Sequence, residues 1–179
     1  MTDRERWPAG LRLVHGVAAL VVLTTLGIGL WMTHLLADAG QRFSWTQTHK
    51  SLGVLALALF VLRLPIRWTA IAPAGLGDAI RDKAAAVAHL LLYGLLLAVP
   101  LSGWAMASTS PLPVPTRVFG LFTLPPIAAP DFALYQTFHA LHQSLAWALG
   151  ALVLVHVAGA LTHGARTGMV LRRMWSLRG

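Results

Sequence analysis

The chain has 179 residues, of which 56% are apolar and 11% charged, with a mean hydropathy of +0.66. A water-soluble domain holds roughly 25% charged residues, so this is the composition of a single membrane-embedded domain covering residues 1–179. The absence of cysteine excludes disulfides, thiolate zinc sites, iron–sulfur clusters and covalent haem attachment, while the net charge of +8 raises a nucleic-acid partner that the placement of the charges then removes.

A spanning helix needs about 20 mostly apolar residues. No Asp, Glu, Lys or Arg occurs between Arg12 and Asp38, from Ala84 to Thr116, or from Phe132 to Ala165. A fourth apolar stretch, "SWTQTHKSLGVLALALFVLRLPIRW", is interrupted by Lys50 and Arg63, of which Lys50 lies near its start and can snorkel to the interface. The sequence therefore predicts four spans, about 11–35, 45–66, 84–108 and 134–164, in an all-α four-transmembrane-helix bundle. Ala37-Asp38-Ala39 has the look of a signal-peptide cleavage site behind Arg4 and Arg6. The apolar run before it exceeds the 7–15 residues of a signal core, so it reads as a mature span.

The basic residues segregate. Arg4, Arg6 and Arg12 precede the first span. Arg63, Arg67, Arg81 and Lys83 lie between the second and third, and Arg166, Arg172, Arg173 and Arg178 follow the fourth. Arg42, Lys50 and Arg117 fall on the other side. This asymmetry predicts that both termini are cytoplasmic. The basic charge thus sets topology, and no nucleic-acid partner is expected. The second outer segment, about 109–133, carries six prolines, which forbid a regular helix. Its Val118, Phe119, Leu121 and Phe122 are expected to lie on the bundle top.

The histidines carry the chemistry. A helix advances about 1.5 Å and 100° per residue, so His142 and His156 in the fourth span share a face at opposite ends, about 21 Å apart. By direction of crossing, His49 of the second span matches His142 in depth at the outer side. His15 and His89 match His156 at the inner side. Ionisable residues inside spans are costly and usually functional. Paired imidazoles at matched depth suggest axial ligation of haem iron, each ring leaving its second nitrogen to bond a carbonyl or water. Two pairs imply two non-covalent haem b groups stacked across the membrane. A histidine that merely bonds a neighbouring helix, a zinc site and a proton relay are the rivals; zinc needs further ligands, and the spans contain no Asp or Glu. His89 is an alternative to His15 or His156 on depth alone, or else packs beside the inner haem or bonds a propionate. His34 and His163 are expected at the interfaces. His139, a turn before His142, is either a substrate contact or a wetted histidine.

Gly16, Gly53, Gly150 and Gly159 lie near these histidines, where small residues would admit a flat macrocycle or simply let helices pack. Trp31, Trp45, Trp68 and Trp104 sit near span ends and fit an aromatic belt. Pro100 is expected to kink the third span.

From "LRLVHG" through "THKSLG", "AHLLLYGLLLAVPLSGW" and "LHQSLAWALGALVLVHVAGALTH" to the basic tail, the chain resembles the bacterial cytochrome b561 family of di-haem inner-membrane proteins. It looks most like the superoxide oxidase members, which pass electrons from superoxide to ubiquinone. The resemblance implies ligation of the inner haem by His15 and His156 and of the outer haem by His49 and His142. His89 matches a further family histidine that is not an axial ligand. Where the superoxide oxidases carry a lysine at the outer quinone site, this chain has His139, which can still donate a hydrogen bond to a quinone carbonyl. Lys50 is a second outer cation and tentative substrate contact. The expected partners are membrane lipid, superoxide and ubiquinone, with a periplasmic electron-transfer protein as a further partner. The expected location is the bacterial inner membrane. The rival functions are a quinol-linked electron carrier for a periplasmic partner, the haem-bearing anchor of a larger dehydrogenase or hydrogenase, and a non-redox histidine-bearing transporter.

Overall fold

A computed structural model describes residues 7–70, 79–112 and 114–167, with the side chains of 79, 81 and 163–167 left aside. Arg4, Arg6, Arg172, Arg173 and Arg178, which carry much of the predicted topology signal, lie outside the described residues, as do the side chains of Arg81, His163 and Arg166. Four helices dominate: α1 (Ala9–Leu30), α2 (Ala39–Thr69), α3 (Ala79–Thr109) and α4 (Phe132–Thr167). A π-helical turn, Trp31–Leu35, ends α1, and a two-stranded hairpin, β1 (Thr116–Val118) and β2 (Phe122–Leu124), joins α3 to α4. All four helices are long and apolar enough to cross a membrane.

Helices α2, α3 and α4 outrun their predicted spans at both ends, and α1 with its π-helical turn starts two residues early, because hydropathy marks the bilayer-embedded part, whereas capping and backbone geometry set the ends. The clearest case is α2, which begins at Ala39 rather than near 45. Asp38 is its N-cap, accepting a 2.7 Å hydrogen bond from Gln41 N–H. The residue that resembles part of a cleavage site is thus a helix start signal. Arg63, placed by hydropathy at the inner loop, lies inside α2, two residues before the internal Pro65. Pro100 likewise lies inside α3.

α1 packs along α2, α3 along α4, and α2 meets α3. The core is a thin apolar layer of Val22, Leu92 and Leu149, backed by Leu26, Ala56, Leu96 and Val99 among others. Outward-facing Leu20, Leu90, Leu154 and Val155 are exposed from the protein, as a lipid-facing surface requires.

The outer segment forms no helix, as its prolines dictate, but it is not irregular. β1 and β2 pair antiparallel in the register Thr116↔Leu124, Arg117↔Thr123 and Val118↔Phe122. Phe119 (φ 49°) and Gly120 (φ 73°) turn the chain, both in the left-handed region that a tight hairpin demands. Of the four apolar residues expected on the bundle top, only Val118 is buried; Phe119, Leu121 and Phe122 point away from the protein.

The hairpin is fastened to α2 by two side chains flanking His49. Ser51 Oγ accepts from Phe119 N–H at 3.0 Å and lies 2.9 Å and 3.1 Å from the carbonyls of Gln47 and Arg117. Gln47 donates through Nε2 to Pro115 O at 3.1 Å and accepts Arg117 N–H at 3.4 Å. On the other flank, Trp104 Nε1 donates to Pro125 O and Ile127 N–H donates to Ser108 Oγ. Trp104, expected in the aromatic belt, is thus a tie between α3 and the loop. Ser51→Ala is expected to loosen the hairpin by about 1–2 kcal/mol, the cost of orphaning a buried donor. Amide hydrogen exchange at Phe119 would rise while the helical amides of α4 stay protected; unchanged exchange at Phe119 would count against the tether.

Candidate functional site

The four helices obey one spacing. Each carries a pair of residues 14 apart: His15 and Gly29 on α1, His49 and Arg63 on α2, His89 and Gly103 on α3, His142 and His156 on α4. Fourteen residues span about 21 Å and return to within about 40° of the same face. The bundle therefore presents two layers. One contains Gly29, His49, Gly103 and His142, the other His15, Arg63, His89 and His156. The residues midway between them, Val22, Ala56, Leu96 and Leu149, belong to the apolar core.

In the first layer, the rings of His49 and His142 face each other with centroids 6.2 Å apart. His49 Nδ1 lies 3.1 Å from the Thr25 carbonyl and His142 Nδ1 lies 3.0 Å from the Val99 carbonyl. A carbonyl can only accept, so each Nδ1 carries the hydrogen and each neutral ring keeps its Nε2 lone pair free. Ser102 Oγ, 3.1 Å from the same His142 Nδ1, donates to Val99 O at 2.8 Å and completes the bracket. The two glycines of this layer make room for the rings. A Cβ on Gly103 would stand 2.9 Å from His142 Cε1, and one on Gly29 would stand 3.2 Å from His49 Cε1.

In the second layer, His15 and His156 face each other at 6.3 Å. His89 stands 5.5 Å from His156 on another side. His15 Nδ1 is enclosed and makes no hydrogen bond.

These spacings test the fit of a metal between the rings. A metal–imidazole nitrogen bond of about 2 Å on each side, plus about 1.1 Å from nitrogen to ring centre, puts two trans imidazoles about 6.2 Å apart. The His49/His142 and His15/His156 pairs meet that value, and His89/His156 falls short of it. Among the described residues no group of three or more His, Asp or Glu side chains converges as a metal-ion cage would require. The geometry therefore suits planar metal complexes taken from two sides.

A cavity of about 310 Å³ opens beside the first layer. His49, His142, Gly53, Gly103 and Gly150 line it, together with Lys50, His139, His34, Gln143 and Trp104. The hairpin closes one side through Thr116 and Leu124. His139 stacks near Tyr135, with ring centroids 6.0 Å apart. A site of this kind is mainly apolar, with a few polar groups placed to orient a flat ligand.

Residues 6–177 match the family described as prokaryotic cytochrome b561. The chain belongs to the prokaryotic cytochrome b561 family. It is 32% identical over 161 residues, covering 89% of this chain and 85% of the relative, to cytochrome b561 homolog 2 of Escherichia coli (strain K12). This cytochrome is accordingly a multi-pass membrane electron-transfer protein, and the family implies haem b as its prosthetic group.

Of the residues singled out in the sequence, the structure brings together His15 with His156, and His49 with His142, and sets Lys50 and His139 on one cavity. Gly53 and Gly150 line that cavity. His34, expected at the interface, lies in the π-helical turn and also lines the cavity. Sequence reasoning passed over Gly29 and Gly103. Their 14-residue offset from His15 and His89 is the signal that identifies them.

Proposed function

We propose that this cytochrome holds two haem b groups, one between His49 and His142 and one between His15 and His156, and transfers electrons from superoxide to ubiquinone. It would lie in the inner membrane with both termini cytoplasmic, so that the His49/His142 layer is periplasmic. The observation that carries the reading is the cavity that His49 and His142 line together with Lys50, His139 and His34.

Haem b, when bound, supplies a one-electron carrier. The protein's own residues then set access and orientation. Lys50 at the cavity and the exposed Arg117 on the hairpin give this face a positive field. Such a field raises encounter rates with a small anion such as superoxide. Superoxide that gives up one electron leaves as dioxygen, and no side chain need act as a nucleophile. Two such events supply the two electrons that convert ubiquinone to ubiquinol, which also takes up two protons. His139 is placed to donate a hydrogen bond to a quinone carbonyl, the role that the superoxide oxidases give to a lysine. With the haem between His49 and His142, the quinone ring would take the part of the cavity beside Lys50, His139 and Trp104.

Rapid mixing of the oxidised protein with a superoxide source tests this reading. The expected result is fast haem reduction that superoxide dismutase abolishes, followed by reoxidation on adding ubiquinone. Haem that ignores superoxide and is reduced by quinol alone would replace the reading with a quinol-linked electron carrier.

A further inference from the structure

The two layers are not equivalent. Where the first layer has two glycines beside its two histidines, the second has His89 and Arg63 beside His15 and His156. Arg63 sits on the same face of α2 as His49, so it addresses the interior of the bundle rather than lipid. It stands in the same layer as His15, His89 and His156. One side of the guanidinium is braced by Tyr93, whose ring centre lies 5.7 Å away. Tyr93 is held edge-on by Phe60 at 5.9 Å.

Among the described residues no acidic side chain is paired with this cation. α1, α2 and α4 contain no acidic residue, and α3 contains only Asp82, at its exposed start. Arg63 Nε is enclosed and makes no hydrogen bond. A charged guanidinium within a membrane span is costly unless an anion meets it, and an enclosed donor left unpaired adds to that cost. Guanidinium is also the side chain best shaped to take a carboxylate through two parallel hydrogen bonds.

We propose that Arg63, assisted by His89, is the carboxylate-binding cradle of the second layer: it receives a propionate of the haem held by His15 and His156, and its fixed positive charge raises the reduction potential of that haem above what two histidines alone would give. This rests on the two-haem reading above. Arg63 is a positioning and tuning residue here, not an iron ligand. The interior-facing position favours a propionate over a lipid phosphate, which would approach from the rim of the bundle. A positive charge beside one haem and glycines beside the other make the pair electrically unequal. The electron then rests preferentially on the second layer, across the apolar core from the substrate cavity.

The test is a haem count and a redox titration of the purified wild type and of Arg63→Gln, Arg63→Lys and His89→Gln, in neutral and in anionic lipid nanodiscs. The wild type should hold two haems with two resolved midpoints. Arg63→Gln should lower one midpoint and leave the other in place, Arg63→Lys should retain most of the wild-type value, and His89→Gln should give a smaller fall in the same component. Loss of one haem from Arg63→Gln but not from Arg63→Lys would support the cradle equally. Two unmoved midpoints in Arg63→Gln would overturn the proposal while leaving the two-haem reading intact. So would haem loss from both variants with helix content unchanged, since charge would then not be what matters. A wild-type midpoint that depends on anionic lipid would assign the anion to a headgroup and also overturn it. A wild type with one haem would instead overturn the two-haem reading itself.

Discussion

His142→Ala is expected to lower the haem content from about two per chain to about one and to abolish reduction by superoxide. The ring of His142 faces His49 at 6.2 Å, and its Nδ1 is fixed by the Val99 carbonyl and Ser102. Removing it leaves His49 with no trans partner. The neighbouring side chains Gly29 and Gly103 offer no replacement donor. The second pair stands about 21 Å away along α4 with the apolar core between, so His15 and His156 should keep their haem. The measurement is a haem-to-protein ratio with reduced-minus-oxidised spectra, compared with His156→Ala. If His142→Ala lost all haem while remaining helical, the two layers would be one cooperative unit. If it kept two, His142 would not be a ligand.

Gly103→Ala is the second change with a large expected effect, and its direction runs against helix propensity. Alanine in the middle of a helix normally stabilises by about 0.5–1 kcal/mol relative to glycine. At this position the added Cβ meets His142 Cε1 at 2.9 Å and Nδ1 at 3.2 Å, closer than carbon atoms pack. The imidazole is bonded to Val99 O, one turn before Gly103 on the same helix, and cannot move away from α3 without giving up that hydrogen bond. Overpacking of this kind costs about 1–3 kcal/mol. Taken out of haem affinity, that is on the order of 5- to 150-fold. Gly29→Ala, with its contact to His49 at 3.2 Å, should have a smaller effect in the same direction. Gly94→Ala is the control, because nothing stands within 4 Å of its added Cβ, and it should be neutral or stabilising. Thermal titration of haem release across the three variants checks the order. Equal behaviour of Gly103→Ala and Gly94→Ala would mean that the close approach has no bearing on the site.

These expectations share one cause. A helix repeats nearly the same face after 14 residues, so four helices that alternate in crossing direction generate two chemical layers from one spacing. An apolar layer falls between them at the half-interval, through Val22, Ala56, Leu96 and Leu149. This middle layer holds no acid or base, and the electron path proposed between the two layers would need none.

By itself the sequence determined the four spans, since apolar runs long enough to cross a bilayer have few other uses, and it set His49 and His142 at one depth and His15, His89 and His156 at the other, while the ring distances of the folded chain separated His15/His156 from His89/His156. It determined that no regular helix crosses residues 109–133, because proline lacks the amide that a helix requires. Tertiary structure alone decided the rest. Asp38 becomes a cap and Arg63 an interior cation because helix ends and internal faces depend on packing, which hydropathy averages away. The hairpin and its tether through Ser51 and Gln47 join residues far apart in the chain, and no local pattern records such a hydrogen bond. Gly29 and Gly103 acquire their meaning from the imidazole of a neighbouring helix, since a missing side chain matters only where another fills its space.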